Sequence, residues 1–240
     1  EGLTIELFGN ATSHGSAGIL AENHGSGAIN ILHTGGEINA YQNGIQATSF
    51  GATSDITITV GGLGDSNFDG AYETGSHIEA GNYGISSVNG GTNTVNLHNE
   101  VYIEGDTRAV DGHDIFGKLG DEPINNFGTL TMLGQTDLGA GANAFNNHGV
   151  FNSGSLVNLG SGNLFSNFGT VSVFGDGTFG TTQIGGNWLG YEGSSVNIDA
   201  VLDDGSVGEA DLLQISGSTS GTTLVNLTLI DGNDDDDAEK

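Results

Sequence analysis

The triplet Asn-x-Gly returns at Asn126-Phe127-Gly128, Asn147-His148-Gly149 and Asn167-Phe168-Gly169, at nearly equal intervals along the chain. Four flanking positions agree at the same offsets. Ile124, Phe145 and Phe165 precede the triplet by two places, with Asn125, Asn146 and Ser166 between. Thr129, Val150 and Thr170 follow it, and then Leu130, Phe151 and Val171. A looser repeat occupies the N-terminal half, where Gly18-Ile19, Gly44-Ile45 and Gly84-Ile85 are each followed by a polar turn and a short alternating stretch such as Ile56-Thr57-Ile58-Thr59-Val60.

A period of roughly 20 to 26 residues made of short alternating strands and Gly/Asn turns is the signature of a stacked β-coil. One turn holds too few inward residues to bury a core, whereas stacked turns set like residues above one another about 4.8 Å apart. Phe, Ile and Val positions then become apolar ladders. Asn126, Asn147 and Asn167 become an amide ladder in which each side chain bonds to its neighbours. The expected fold is all-β, a parallel β-helix, right-handed by the usual crossover preference, of about nine or ten turns. A β-sandwich also has short strands and regular turns, but it has no reason to repeat residue types in register over three periods.

Two interruptions are expected within the helix of residues 1–184, near 61–75 and 106–122, the second holding Arg108 and Lys118 and followed by the only proline, Pro123. Such insertions emerge as loops on one face of a solenoid. Residues 185–232 change character, with the only tryptophan, Trp188, followed by the longer alternating runs Ser195–Leu202, Asp211–Gly217 and Thr222–Ile230. They read as a C-terminal β capping unit, the device that keeps a solenoid end from edge-to-edge pairing. Residues 233–240 form an acidic tail or linker.

Composition narrows the function. The chain carries 3 Lys plus Arg against 30 Asp plus Glu, a net charge of −27. Phosphate backbones and anionic lipid surfaces are repelled at that charge, so nucleic acid is excluded as a partner. With no cysteine there is neither disulfide framework nor thiolate site, and no apolar run is long enough to insert in a bilayer as a helix. Leu, Ile, Val and Phe make up a quarter of the 240 residues, enough for a core.

The Asn-x-Gly turns, followed by Gly193-Ser-Ser-Val-Asn-Ile-Asp-Ala-Val-Leu-Asp-Asp204 and by Ala210-Asp-Leu-Leu-Gln-Ile-Ser-Gly-Ser-Thr-Ser-Gly-Thr-Thr223, resemble the C-terminal β-helix of a bacterial autotransporter passenger domain with its autochaperone-like end. The second stretch carries most of the resemblance, which is specific over these C-terminal strands and weaker over the remaining turns. It implies type V secretion, a downstream outer-membrane β-barrel of the same precursor, and delivery across the outer membrane to the cell surface or medium. Glu1–Phe8 has no basic segment followed by an apolar one, so the chain is expected to be an excised passenger segment without its signal peptide. The resemblance further implies a virulence-related adhesin or display scaffold that contacts a host cell-surface protein or glycan, or associates with itself.

Among local motifs the sharpest is Asp65-Ser66-Asn67-Phe68-Asp69-Gly70, which matches the D-x-N-x-D-G start of a calcium loop. Asp65, Asn67 and Asp69, with Glu73, are the expected metal ligands, and calcium the expected cofactor if there is one. Alternate oxygens converge on one point, and Ca²⁺ takes six to eight of them. The twelfth loop position is Ser76 rather than a bidentate glutamate, so an acidic surface turn stays open as the alternative. Gly64-Asp65-Ser66 resembles an esterase or protease nucleophile, but Asn67 fits neither motif, and a serine without a positioned base is inert. A polysaccharide lyase needs Arg or Lys as base and to bind uronates. A glycoside hydrolase needs two spaced carboxylates, for which Asp111, Asp114, Asp203 and Asp204, with His113, qualify only in number. No catalytic residue is expected. His148 falls in the column of Phe127 and Phe168 and reads as a stacking substitute, and Trp188 as a cap anchor rather than a sugar platform.

Overall fold

The computed structural model describes residues 1–51, 54–61, 76–88, 91–98, 100–105, 113–117, 120–132, 134–174, 179–203 and 206–231. Within them the chain is a parallel β-helix. Its 27 strands fall into three sheets of nine, ten and eight strands, and each strand pairs with the strand three places on in sequence over nearly the whole length. No helix occurs among the described residues.

Sheet I runs through Leu3–Leu7, Ile29–His33, Ile56–Val60, Asn93–Leu97, Pro123–Asn126, Ala144–Asn147, Leu164–Asn167, Asn187–Gly190 and Thr219–Gly221. Its inward column reads Ile5, Ile31, Ile58, Val95, Ile124, Phe145, Phe165, Trp188 and Thr219. The turn length therefore varies, from Phe145-to-Phe165 at the short end to Ile58-to-Val95 at the long end, while the register holds. Extra residues leave at corners, because a slip of one residue within a strand would turn every buried side chain outward.

Sheet II contributes the column Ser76, Val101, Leu130, Phe151, Val171, Val196 and Val225. Sheet III contributes Ile19, Ile45, Ile85, Ile115, Thr136, Val157, Ile184 and Ile215. The three columns meet in one continuous core. In it Phe145 stacks on Phe165 with ring centroids 4.8 Å apart, and Phe165 stacks on Trp188 at 4.9 Å with planes 4° apart. Every column expected from the triplet repeat is in register, including Thr129–Val150–Thr170 and Asn125–Asn146–Ser166. So is the N-terminal set Ile19–Ile45–Ile85, whose last interval spans the insertion near 61–75.

One boundary differs from expectation. Within 106–122, read as an insertion, His113–Gly117 is the sheet III strand of its turn, paired on both sides with Tyr83–Val88 and Gln135–Asp137. The run Asp114-Ile115-Phe116 is too short and too polar at its flanks to show alternation, so only the stacked neighbours identify it. In the region read as a capping unit, 185–232, the described strands extend the stack. Asn187–Gly190, Ser195–Asp203, Leu212–Ile215, Thr219–Gly221 and Leu224–Asp231 each extend one of the three sheets. The one antiparallel pairing among the described residues joins Ser195–Asp203 to Ser206–Ala210.

Candidate interaction surface

The corner between sheets I and II is built by the repeated triplet. Asn126, Asn147 and Asn167 point inward and are fully buried. Asn126 Nδ2 donates to Asn147 Oδ1 at 2.8 Å, and Asn147 Nδ2 donates to Asn167 Oδ1 at 2.9 Å. Each amide also donates one turn onward to a backbone carbonyl, Val150 O, Thr170 O and Ser195 O respectively. The side chains thus satisfy the backbone where the chain leaves one sheet for the next, as buried polar groups require. The following glycine is dictated by space, since a methyl on Gly149 would enter the Gly128 carbonyl and one on Gly169 the Gly149 carbonyl.

With the asparagine turned in and the glycine flush, the middle residue of each triplet must face solvent. The outcome is a column of stacked rings along the outside of the corner. His98 stacks on Phe127 at 5.0 Å, Phe127 on His148 at 5.3 Å, His148 on Phe168 at 4.4 Å, and Phe168 on Tyr191 at 3.7 Å. The stacking place expected for His148 is the place it occupies. Tyr191 and His98 extend the column beyond the three triplets; Tyr191 follows Phe168 at a longer offset than the triplets keep, so the repeat does not reveal it. Burial lowers the pKa of His98, which keeps it neutral and favours stacking at physiological pH. Phe127, Phe168 and Tyr191 nonetheless keep between a third and a half of their surface exposed. Because their faces are used on one another, they offer solvent a strip of ring edges.

Beside this strip, on the outer face of sheet I, runs a second amide ladder. Asn125 Nδ2 donates to Asn96 Oδ1 at 3.0 Å and Asn146 Nδ2 to Asn125 Oδ1 at 2.9 Å. On the outer face of sheet II, Thr131, Asn152, Ser172, Asn197 and Asn226 lie in register, with Asn152 donating to Thr131 and Asn226 to Asn197. The wall is therefore an aromatic edge flanked on sheet I by the Asn96–Asn125–Asn146 ladder and on sheet II by the bonded pairs Thr131–Asn152 and Asn197–Asn226, with buried Ser172 between those pairs.

The expected calcium ligands Asp65, Asn67, Asp69 and Glu73 lie outside the described residues, as do Ser66, Asp111 and Asp204. Asp114 and His113 fall in the sheet III strand His113–Gly117, and Asp203 ends the strand Ser195–Asp203. Several described carboxylates are engaged by the backbone. Asp55 accepts from Thr92 N, Asp121 from Ala142 N, and Asp211 from both Gly180 N and Asp199 N. No group of three or more His, Asp or Glu side chains among the described residues could hold a metal ion. Trp188 is buried, packed on Phe165, and its Nε1 donates to Thr223 Oγ1 at 3.3 Å. It anchors the end of the core and is covered on its inner face.

One polar residue stands out that the sequence did not single out. Glu122 is buried at the corner between sheets III and I, where its Oε1 accepts from Asn93 Nδ2 at 2.8 Å and from Gly120 N at 3.2 Å, while its Oε2 has no partner among the described residues. Desolvation, reinforced by neighbouring Asp121, pushes its pKa up to about 7 against the two hydrogen bonds. Nothing in Gly120-Asp121-Glu122-Pro123 distinguishes an inward acid from a solvated one, because the inward direction is set by the strand above.

The chain matches no family model, no curated protein and no solved structure.

Proposed function

We propose that this chain is a non-enzymatic, surface-displayed rod, a passenger segment of the autotransporter type that acts as an adhesin or display scaffold. The observation that carries the reading is the exposed aromatic strip from His98 to Tyr191, flanked by ordered amide and hydroxyl ladders. Aromatic edges with satisfied but accessible amides are the chemistry of a contact surface for a protein or a glycan. An isolated stack of this kind stabilises the corner by about 0.5–1.5 kcal/mol per pair, and the strip leaves half of Phe127 in water. Export through a downstream outer-membrane barrel belongs to the same reading, supported by the resemblance of Ala210–Thr223 to the autochaperone-like end.

The test is direct. Labelled protein is offered to epithelial cells, immobilised matrix proteins and a glycan array, beside a Phe127→Ser/Phe168→Ser variant shown by circular dichroism to be folded at the temperature of the assay. Saturable binding by the native chain and at least tenfold weaker binding by the variant support the assignment. Absence of saturable binding on every surface, or equal binding by the variant, removes the wall as the contact site. Whether the reading frame continues into an outer-membrane β-barrel tests the export half separately.

A further inference from the structure

At the corner between sheets III and I, an inward column reads Ile29, Ile56, Asn93, Glu122 and Asn143 on successive turns, all buried. The isoleucines need no partner, but the polar members must satisfy their donors and acceptors inside the protein. Asn143 does so. Its Nδ2 donates to Leu159 O at 2.9 Å, and its Oδ1 accepts from Glu122 N at 3.0 Å. The pair beneath it falls short. Asn93 Nδ2 donates to Glu122 Oε1 at 2.8 Å, and Gly120 N donates to the same oxygen at 3.2 Å. Glu122 Oε2 and Asn93 Oδ1 are left buried and without a partner among the described residues.

The two stranded oxygens belong to side chains already bonded to each other. An ionised carboxylate takes donors on both oxygens, whereas a neutral carboxyl accepts on one and donates from the other. Here both donors converge on Oε1, which is the second pattern, and Asn93 Oδ1 is an acceptor in want of a donor. One proton on Oε2 meets both needs. We infer that Glu122 and Asn93 form a buried proton-binding site, in which Oε2–H of the neutral acid donates to Asn93 Oδ1 and closes an acid–amide ring that clamps two turns together. The proton comes from solvent and returns to it. When it leaves, a bare carboxylate oxygen faces an amide oxygen in a dry corner, and the clamp opens.

The surroundings favour the neutral form. Asp121 adjoins Glu122, and Asp55 lies one turn beneath Asn93; their Oδ1 atoms accept from Ala142 N and Thr92 N. The sheet I strands beside the column, Ile56–Val60, Asn93–Leu97, Pro123–Asn126 and Ala144–Asn147, contain no titratable residue. From sheet III, Gly117 lies so close that a methyl on it would enter the Glu122 side chain, and its strand begins with His113 and Asp114. Lys118 follows and lies outside the described residues. The raised pKa of Glu122, about 7, agrees with this geometry. The ring is closed below neutrality and open above it.

Carbon-13 NMR of the full chain, labelled at glutamate Cδ, is expected to show one carboxyl titrating near pH 7, absent from Glu122→Gln. Protection of the Gly120 and Glu122 backbone amides against hydrogen exchange should fall at least tenfold from pH 5.5 to 8.5, after correction for the intrinsic rate. In Glu122→Gln, whose amide reproduces both bonds of the ring, it should stay constant. A crystal structure at pH 5.5 should place Oε2 about 2.7 Å from Asn93 Oδ1. Glutamates that all titrate near 4.5 overturn the proposal, including the case in which Lys118→Gln then raises one of them and reveals an ion pair. So do equal exchange profiles in the two chains, and a water or metal ion seated between Oε2 and Oδ1.

Discussion

Phe145 and Phe165 lie one directly above the other, centroids 4.8 Å apart and planes 14° from parallel, although a full turn of the chain separates them. The same ladder continues upward to Trp188 and sideways to Phe151. Four large rings thus occupy the centre of a helix that elsewhere relies on isoleucine, at the stretch where the turns are shortest.

Phe165→Ala is therefore expected to cost about 3–5 kcal/mol, the usual range for a fully buried phenylalanine. It removes the ring between Phe145 and Trp188. Urea unfolding followed by Trp188 fluorescence reads the loss, and Phe165→Leu should retain most of the stability. A cost for Phe165→Ala no larger than about 1 kcal/mol would mean that the ladder is not packed.

The two amide ladders should differ in worth. Asn147→Ala deletes a buried side chain that donates to Asn167 Oδ1 and Thr170 O and accepts from Asn126. It leaves buried partners unsatisfied, at about 1–3 kcal/mol for each group stranded. Asn146→Ala acts on the outer ladder, where water replaces the lost partner, and should cost under about 1 kcal/mol. Equal losses in denaturant midpoint would contradict the inward and outward assignment.

Glu122 sets a pH dependence of definite sign. Its folded pKa of about 7 lies above the ordinary carboxylate value of 4.5, so between these values the native state holds the proton more tightly than the unfolded chain. Stability falls as pH rises through that window and stays reduced above it. The full shift corresponds to on the order of 3 kcal/mol. Glu122→Gln keeps a neutral side chain at every pH and is expected to be more stable than the native chain at pH 8 and nearly equal to it at pH 4.5. Parallel pH profiles for the two proteins would show that Glu122 is solvated.

The Asp65–Gly70 motif, read as a calcium loop, predicts that millimolar calcium raises the melting temperature and that a chelator reverses the rise. Asp65→Ala combined with Asp69→Ala should abolish the response without lowering the metal-free melting point. Indifference of the native chain to calcium and chelator would leave the segment an acidic turn.

How much of this molecule could be read from its residues depends on how each feature repeats. The triplets announced both the fold and the register, because in a stacked coil identical neighbours occupy identical environments. Ile124, Phe145 and Phe165 had to share a column once Asn126, Asn147 and Asn167 did. For the same reason His148 could be placed among the rings. The strand His113–Gly117 was missed because so short a strand, with one strong apolar position, has no period of its own. The inward turn of Glu122 was hidden because solvated and buried acids look alike in sequence. The C-terminal runs were recognised as strands, and their alternation is real. Whether they seal the core is a matter of what lies above Val225, Leu227 and Leu229, and alternation specifies only the two faces of a strand. Periodicity along the chain, then, determined which residues stack. The tertiary structure decided which corners bury an acid and which rings meet solvent, because each of those depends on neighbours in space that carry no repeat in the sequence.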